Sequence, residues 1–140
     1  MRPGIRFFVG DVGDATYEEI NIIPLNHTEI PNYGWPCMEG PSVYSEAPDE
    51  LFCRDGRVFE PPVFAFTHEE GRCAIIGGVM QRITDQEPRY LFGDMCTRDL
   101  YAMQDNGQEW ETTYLGKIDG DRATLTFGQS LTNDVYVGQE

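Results

Sequence analysis

Positive charge is scarce in this chain of 140 residues, where 24 Asp and Glu stand against ten Lys and Arg for a formal net charge of −14. With a pI near 4.3, the surface offers no basic patch for a phosphate backbone, so nucleic acid is excluded as a partner. Lysine is nearly absent, with Lys117 the sole representative. Long apolar runs are missing too. The longest, Cys73 to Met80, holds two glycines and falls short of the roughly 20 residues a membrane span requires, so a soluble chain without a membrane span is expected. No export signal is visible, because Met1-Arg2-Pro3-Gly4 runs into Ile5-Arg6-Phe7-Phe8-Val9 without an apolar h-region or cleavage site. Either the chain is cytoplasmic or its beginning is missing. Four cysteines contain no C-x-x-C pair and only two histidines accompany them, which argues against zinc. Phosphate-loop, dinucleotide-glycine and G-x-S-x-G patterns are all lacking. Asp119-Gly120-Asp121 lacks the spaced acids and closing Glu of an EF-hand and reads as a turn.

Helical periodicity is the last absence. No window of roughly 11 to 18 residues repeats apolar side chains at i, i+3, i+4 and i+7. Instead, short runs rich in Val, Ile, Phe and Tyr lie between Gly, Asp and Pro, and hydrophobic content of 40% with 12% aromatics suffices for a packed core. The chain reads as all-β, with strands near 5–9, 17–23, 73–81, 89–94, 98–104, 109–116, 122–128 and 134–138. Asn106-Gly107 marks a hairpin, since this pair readily takes the positive φ of a tight turn. Residues 24–62 carry seven of the nine prolines and read as one long loop. Two apolar residues, Gly, then Asp or Gln recur at Phe8-Val9-Gly10-Asp11, Leu91-Phe92-Gly93-Asp94 and Tyr136-Val137-Gly138-Gln139. The spacing of the last two matches the roughly 40–50 residue repeat of propeller blades. A chain of this length holds two to three such blades, so the remainder of a ring must come from elsewhere, self-association of copies being one source.

Five strings in order resemble the glucose/sorbosone dehydrogenase family. These six-bladed propellers include soluble aldose dehydrogenases dependent on pyrroloquinoline quinone (PQQ), and hedgehog-interacting-protein-like proteins. The strings are Gly10-Asp11-Val12-Gly13 with Tyr17-Glu18-Glu19-Ile20-Asn21; Asn32-Tyr33-Gly34-Trp35-Pro36 with Glu39-Gly40; Ile76-Gly77-Gly78-Val79 with Arg82; Tyr90-Leu91-Phe92-Gly93-Asp94 with Cys96; and Phe127-Gly128 with Asp134-Val135-Tyr136-Val137. The resemblance implies that residues 1–140 are the C-terminal part of such a propeller domain: the end of one blade, a long loop, a full blade over about 63–118 and half of the last. It implies oxidation of a sugar or other small polyol by hydride transfer to PQQ, with calcium polarising the quinone. Tyr33, Gly34, Trp35 and Pro36 would face the cofactor, with the carbonyls of Gly34 and Pro36, joined by Glu39, as calcium ligands. The alternative is that Tyr33 and Trp35 anchor the loop and Glu39 is solvated. By the same resemblance His68 and Arg82 would line the substrate channel; a surface histidine beside Glu69 and Glu70, and an ordinary salt bridge, are the alternatives.

The family's catalytic histidine lies in the half of the propeller that this chain does not match, and neither His27 nor His68 takes its place. Cys96 and Thr97 stand where the sugar dehydrogenases have a cofactor-binding lysine, and Ala123 and Thr124 lie near the place of their arginines. A non-catalytic secreted propeller module that binds carbohydrate or a protein partner is therefore the competing function, and whether the chain is an enzyme stays open. Two disulfides are possible in three connectivities. Cys37 with Cys53 would clip the long loop and Cys73 with Cys96 would join neighbouring strands of one blade, free thiols being the alternative. Disulfides would place the full-length protein in an extracellular or periplasmic compartment. Asn26-His27-Thr28 fits a glycosylation sequon.

Overall fold

A computed structural model describes residues 6–26, 28–47, 53 and 56–140; Ile5 and His27, the central residue of the sequon, lie outside the described residues. The chain divides into two compact units, Met1–His68 and Glu69–Glu140. In the first, β1 (Arg6–Asp11) pairs antiparallel with β2 (Tyr17–Pro24), from Arg6 opposite Pro24 to Asp11 opposite Glu19. The other edge of β2 takes a strand from beyond the proline-rich segment. Between them lie β3 (Met38–Glu39) and β4 (Ser42–Val43), a small hairpin, and then β5 (Phe64–Thr67) pairs with β2. Having neighbours on both edges, β2 buries successive residues on opposite faces: Glu18 and Ile20 on one, Glu19 and Asn21 on the other.

Two expectations change here. The segment 24–62 is not entirely loop, because β3 and β4 interrupt it with strands too short to show periodicity. Phe64–Thr67 does not open the full blade; its residues continue the sheet of β1 and β2. The four-stranded sheet begins at Ile75.

That sheet fills the second unit. After a 3-10 turn at Glu69–Gly71, β6 (Ile75–Gln81), β7 (Arg89–Asp94), β8 (Asp99–Asp105) and β9 (Trp110–Lys117) follow one another in an antiparallel meander, the strand order of a propeller blade. Phe92 and Met103 are fully buried at its centre. Alternation sets Tyr90 and Phe92 on one face of β7; Tyr101 stands opposite Phe92 and Tyr114 opposite Tyr101, with ring centroids 5.9, 5.4 and 5.5 Å apart along the row. In β6 the ladder slips between Ile76 and Val79. A Cβ on Gly78 would stand 1.5 Å from the Leu91 carbonyl oxygen, so only glycine permits this approach. The expected hairpin forms between β8 and β9, closed by four residues with Gly107 at φ 89°. Finally, β10 (Thr124–Gln129) and β11 (Val135–Gln139) form a two-stranded sheet.

The chain is all-β, built of small antiparallel sheets, none closed into a barrel among the described residues, as a partial propeller requires. The recurring glycines Gly10, Gly93 and Gly138 fall in β1, β7 and β11. Cys37 is joined to Cys53 within the first unit, and Cys73, ahead of β6, to Cys96, just past β7, in the second. No helix among the described residues is long and apolar enough to cross a membrane.

Candidate functional site

The connection from β1 to β2 bends so that four successive N–H groups, of Asp14, Ala15, Thr16 and Tyr17, donate to one oxygen, Glu39 Oε1, at 3.0, 2.7, 2.7 and 3.3 Å. Such a concave run of amides is an anion nest, here filled by a carboxylate of the same chain. Burial works to raise the Glu39 pKa, but the four bonds outweigh it and hold the group below its ordinary value. Close approach makes the bend possible: a Cβ on Gly13 would stand 1.7 Å from the Tyr17 carbonyl oxygen. The Gly40 N–H donates to Glu19 Oε1, and Asn21 Nδ2 donates to Glu19 Oε2 at 3.3 Å. Burial nevertheless raises the Glu19 carboxyl above its ordinary value. The Tyr44 hydroxyl donates to Asp14 Oδ2, and this bond is the main reason its pKa is pushed up to about 12.

The Asn32–Pro36 turn closes upon itself. Asn32 Oδ1 accepts the Gly34 N–H at 3.0 Å, while the Gly34 carbonyl accepts two donors, Cys37 N–H at 2.6 Å and Met38 N–H at 3.0 Å. Gly34 takes φ +103°, and a Cβ there would lie 2.6 Å from the Met38 side chain. Trp35 is left 60% exposed, its ring centroid 4.9 Å from that of Tyr44. Between this turn and the β1–β2 connection lies a cavity of about 320 Å³, whose wall includes Asp11, Asp14, Glu19, Tyr33, Trp35 and Glu39.

Of the residues singled out from the sequence, Tyr33, Trp35 and Glu39 meet at this cavity, whereas Gly34 and Pro36 are not on its wall. His68 lies elsewhere in the first unit. Its Nε2 is 2.7 Å from Oε1 of the fully buried Glu18, and its backbone N–H donates to the Thr16 carbonyl at 3.0 Å. Arg82 is in the second unit, beside a groove that Asn133 also lines, and its backbone N–H donates to Asn133 Oδ1 at 3.1 Å. In that unit the sole lysine, distant in sequence, comes to the place of Thr97: Lys117 Nζ is 2.9 Å from the Thr97 carbonyl and 2.8 Å from Asp99 Oδ1. Burial tends to raise Asp99, but bonds from Lys117 and Thr97 outweigh it and lower its pKa.

Sequence reasoning assigned no role to Asp11, Asp14 or Glu19. Asp11 and Glu19 stand inside the quoted strings and Asp14 between their parts, yet only the fold joins residues 11–19 to 33–39. The usable signal was the pair Gly13 and Gly40, each placed where backbone meets backbone or ring at close quarters.

No family model matches the chain. No solved structure matches it either. Among the curated proteins that do match are two from a plant. The HIPL2 protein of Arabidopsis thaliana is 33% identical over 107 residues, an alignment covering 69% of this chain and 14% of that protein. The HIPL1 protein of the same plant is 30% identical over 107 residues, covering 69% of this chain and 15% of its own length. The chain thus spans a small part of the curated relatives it matches, and its similarity lies on the hedgehog-interacting-protein-like side of the resemblance described above.

Proposed function

We propose that this chain is the C-terminal part of a glucose/sorbosone-dehydrogenase-like propeller serving as a non-catalytic binding module in an oxidising, extracellular or periplasmic compartment, and that its ligand site is the cavity between residues 11–14 and 33–39. The observation carrying this reading is the state of the Gly34 carbonyl. Both of its lone pairs are taken by backbone N–H groups, so it has none to offer a cation. Glu39 Oε1 is likewise saturated by four donors. Among the described residues no group of three His, Cys, Asp or Glu is placed to hold a metal ion. We therefore read the Gly34 carbonyl and Glu39 Oε1 as unfit for calcium, and we derive no step through PQQ. Two disulfides and the similarity to the HIPL proteins support a secreted binding module.

Calorimetric titration of the full-length protein with calcium and with PQQ, followed by a glucose-dependent dye-reduction assay, tests the reading. No saturable heat and no turnover are expected. Saturable PQQ uptake accompanied by dye reduction would restore the sugar dehydrogenase and overturn the proposal.

A further inference from the structure

The cavity in the first unit gathers acidic side chains on its wall. Asp11, Asp14, Glu19 and Glu39 contribute to its wall, and no basic side chain does. Glu39 is only 4% exposed, and its Oε1 is engaged by the amide nest. Its second oxygen has no donor among the described residues, yet it is not among the buried atoms left unpaired. That oxygen is therefore accessible, on a side chain that lines the cavity and that the fold holds still. The carboxylate of Asp11, exposed at the end of β1, likewise has no hydrogen-bond or ion-pair partner among the described residues.

An anionic ligand is excluded by this charge. A compact metal ion is disfavoured because no three acids are placed to surround one. What the wall offers is separated carboxylate oxygens together with the largely exposed indole of Trp35. A planar guanidinium matches both, having several N–H donors spread in a fork and a flat face that stacks on an aromatic ring. An alkylammonium concentrates its charge at one point and has no face to stack. The net charge of −14 steers a basic partner toward the chain.

We propose that this cavity is the docking site for an arginine side chain carried on a basic segment of a partner protein. The proposal rests on the reading of the chain as a binding module and names the chemistry of its partner.

The test is an NMR titration of the 15N-labelled chain at low salt with three capped peptides identical except for one central residue: arginine, citrulline or lysine. The arginine peptide is expected to shift the Trp35 indole and the amides of residues 11–17 saturably. Citrulline, nearly isosteric but neutral, should bind at least about tenfold more weakly, and lysine should fall between. Asp11→Asn removes charge from an exposed carboxylate that supports no protein bond, and should weaken the arginine peptide about fivefold or more while leaving the remaining spectrum in place. Trp35→Ala should weaken it as well. Equal binding of the citrulline peptide, an unchanged affinity in Asp11→Asn, or the absence of saturable shifts at these residues would overturn the proposal. A neutral oligosaccharide that shifted the same resonances where the arginine peptide did not would also overturn it, yet leave the binding-module reading standing. PQQ uptake would remove that reading itself.

Discussion

A single carboxylate organises the candidate site. Replacing Glu39 by Gln keeps its shape but removes the charge that faces four N–H groups, so Glu39→Gln should cost about 3 kcal/mol in urea unfolding at neutral pH. The folded pKa of Glu39 is depressed below its ordinary value of 4.5. Its stabilisation is thus complete above that value and is lost as pH falls through the lower, folded one. The gap in stability between wild type and Glu39→Gln should therefore narrow on acidification below about pH 4.5, and a gap that stays constant to lower pH would contradict the nest. Glu19 acts in the opposite sense: its raised pKa means that the folded state binds its proton more tightly, so its ionisation weakens the fold as pH rises past the ordinary value. At this scale the sequence was partly legible. Tyr33, Trp35 and Glu39 stood out because they lie in one of the strings that resemble the glucose/sorbosone dehydrogenase family. Asp14 did not, because its partners Glu39 and Tyr44 lie more than twenty residues along the chain. The resemblance implied that Gly34 aims its carbonyl at a calcium ion, whereas a constrained turn satisfies such a carbonyl most simply with the N–H groups that follow it.

Among the elements, the meander β6 to β9 was the most readable, since alternating apolar residues and Gly, Asp or Pro boundaries define each strand without distant information. Membership of a sheet was not readable. Phe64–Thr67 has the composition of a blade strand, but pairing with Tyr17–Ile20 is decided by which edge is open to it. The two-residue strands β3 and β4 leave no periodic trace. Gly77-Gly78, noted only as part of a motif, is where β6 bulges against β7. Gly78→Ala should destabilise by about 3 kcal/mol or prevent folding, because the new methyl meets the Leu91 backbone, not a movable side chain. Gly77→Ala is the control: its Cβ would lie 3.4 Å from the Tyr90 hydroxyl, and it should cost far less. Equal effects by thermal melting would refute the bulge argument.

For the molecule as a whole, apolar patterning indicated the all-β class, charge the acidic surface, and the glycine repeat with the resemblance the propeller; spatial assembly of the cavity lay beyond all of these. Each unit holds one disulfide within itself, at sequence separations of 16 and 23. Loops of this size correspond to roughly 3 kcal/mol each in the chain-entropy description. Cys37→Ser with Cys53→Ser should lower stability by about that amount and loosen the segment bearing Trp35. Alkylating the unreduced protein and weighing it should find no modified cysteine; four modified would remove both bridges. The amide nest has one more consequence, visible across a deuterium-exchange map. Residues 14–17 belong to a surface connection and the start of a strand, where amides commonly trade hydrogen quickly with solvent. Here all four should be slow together at neutral pH, and the substitution at position 39 should release them as a group, so that a bend between strands carries the protection of a sheet interior.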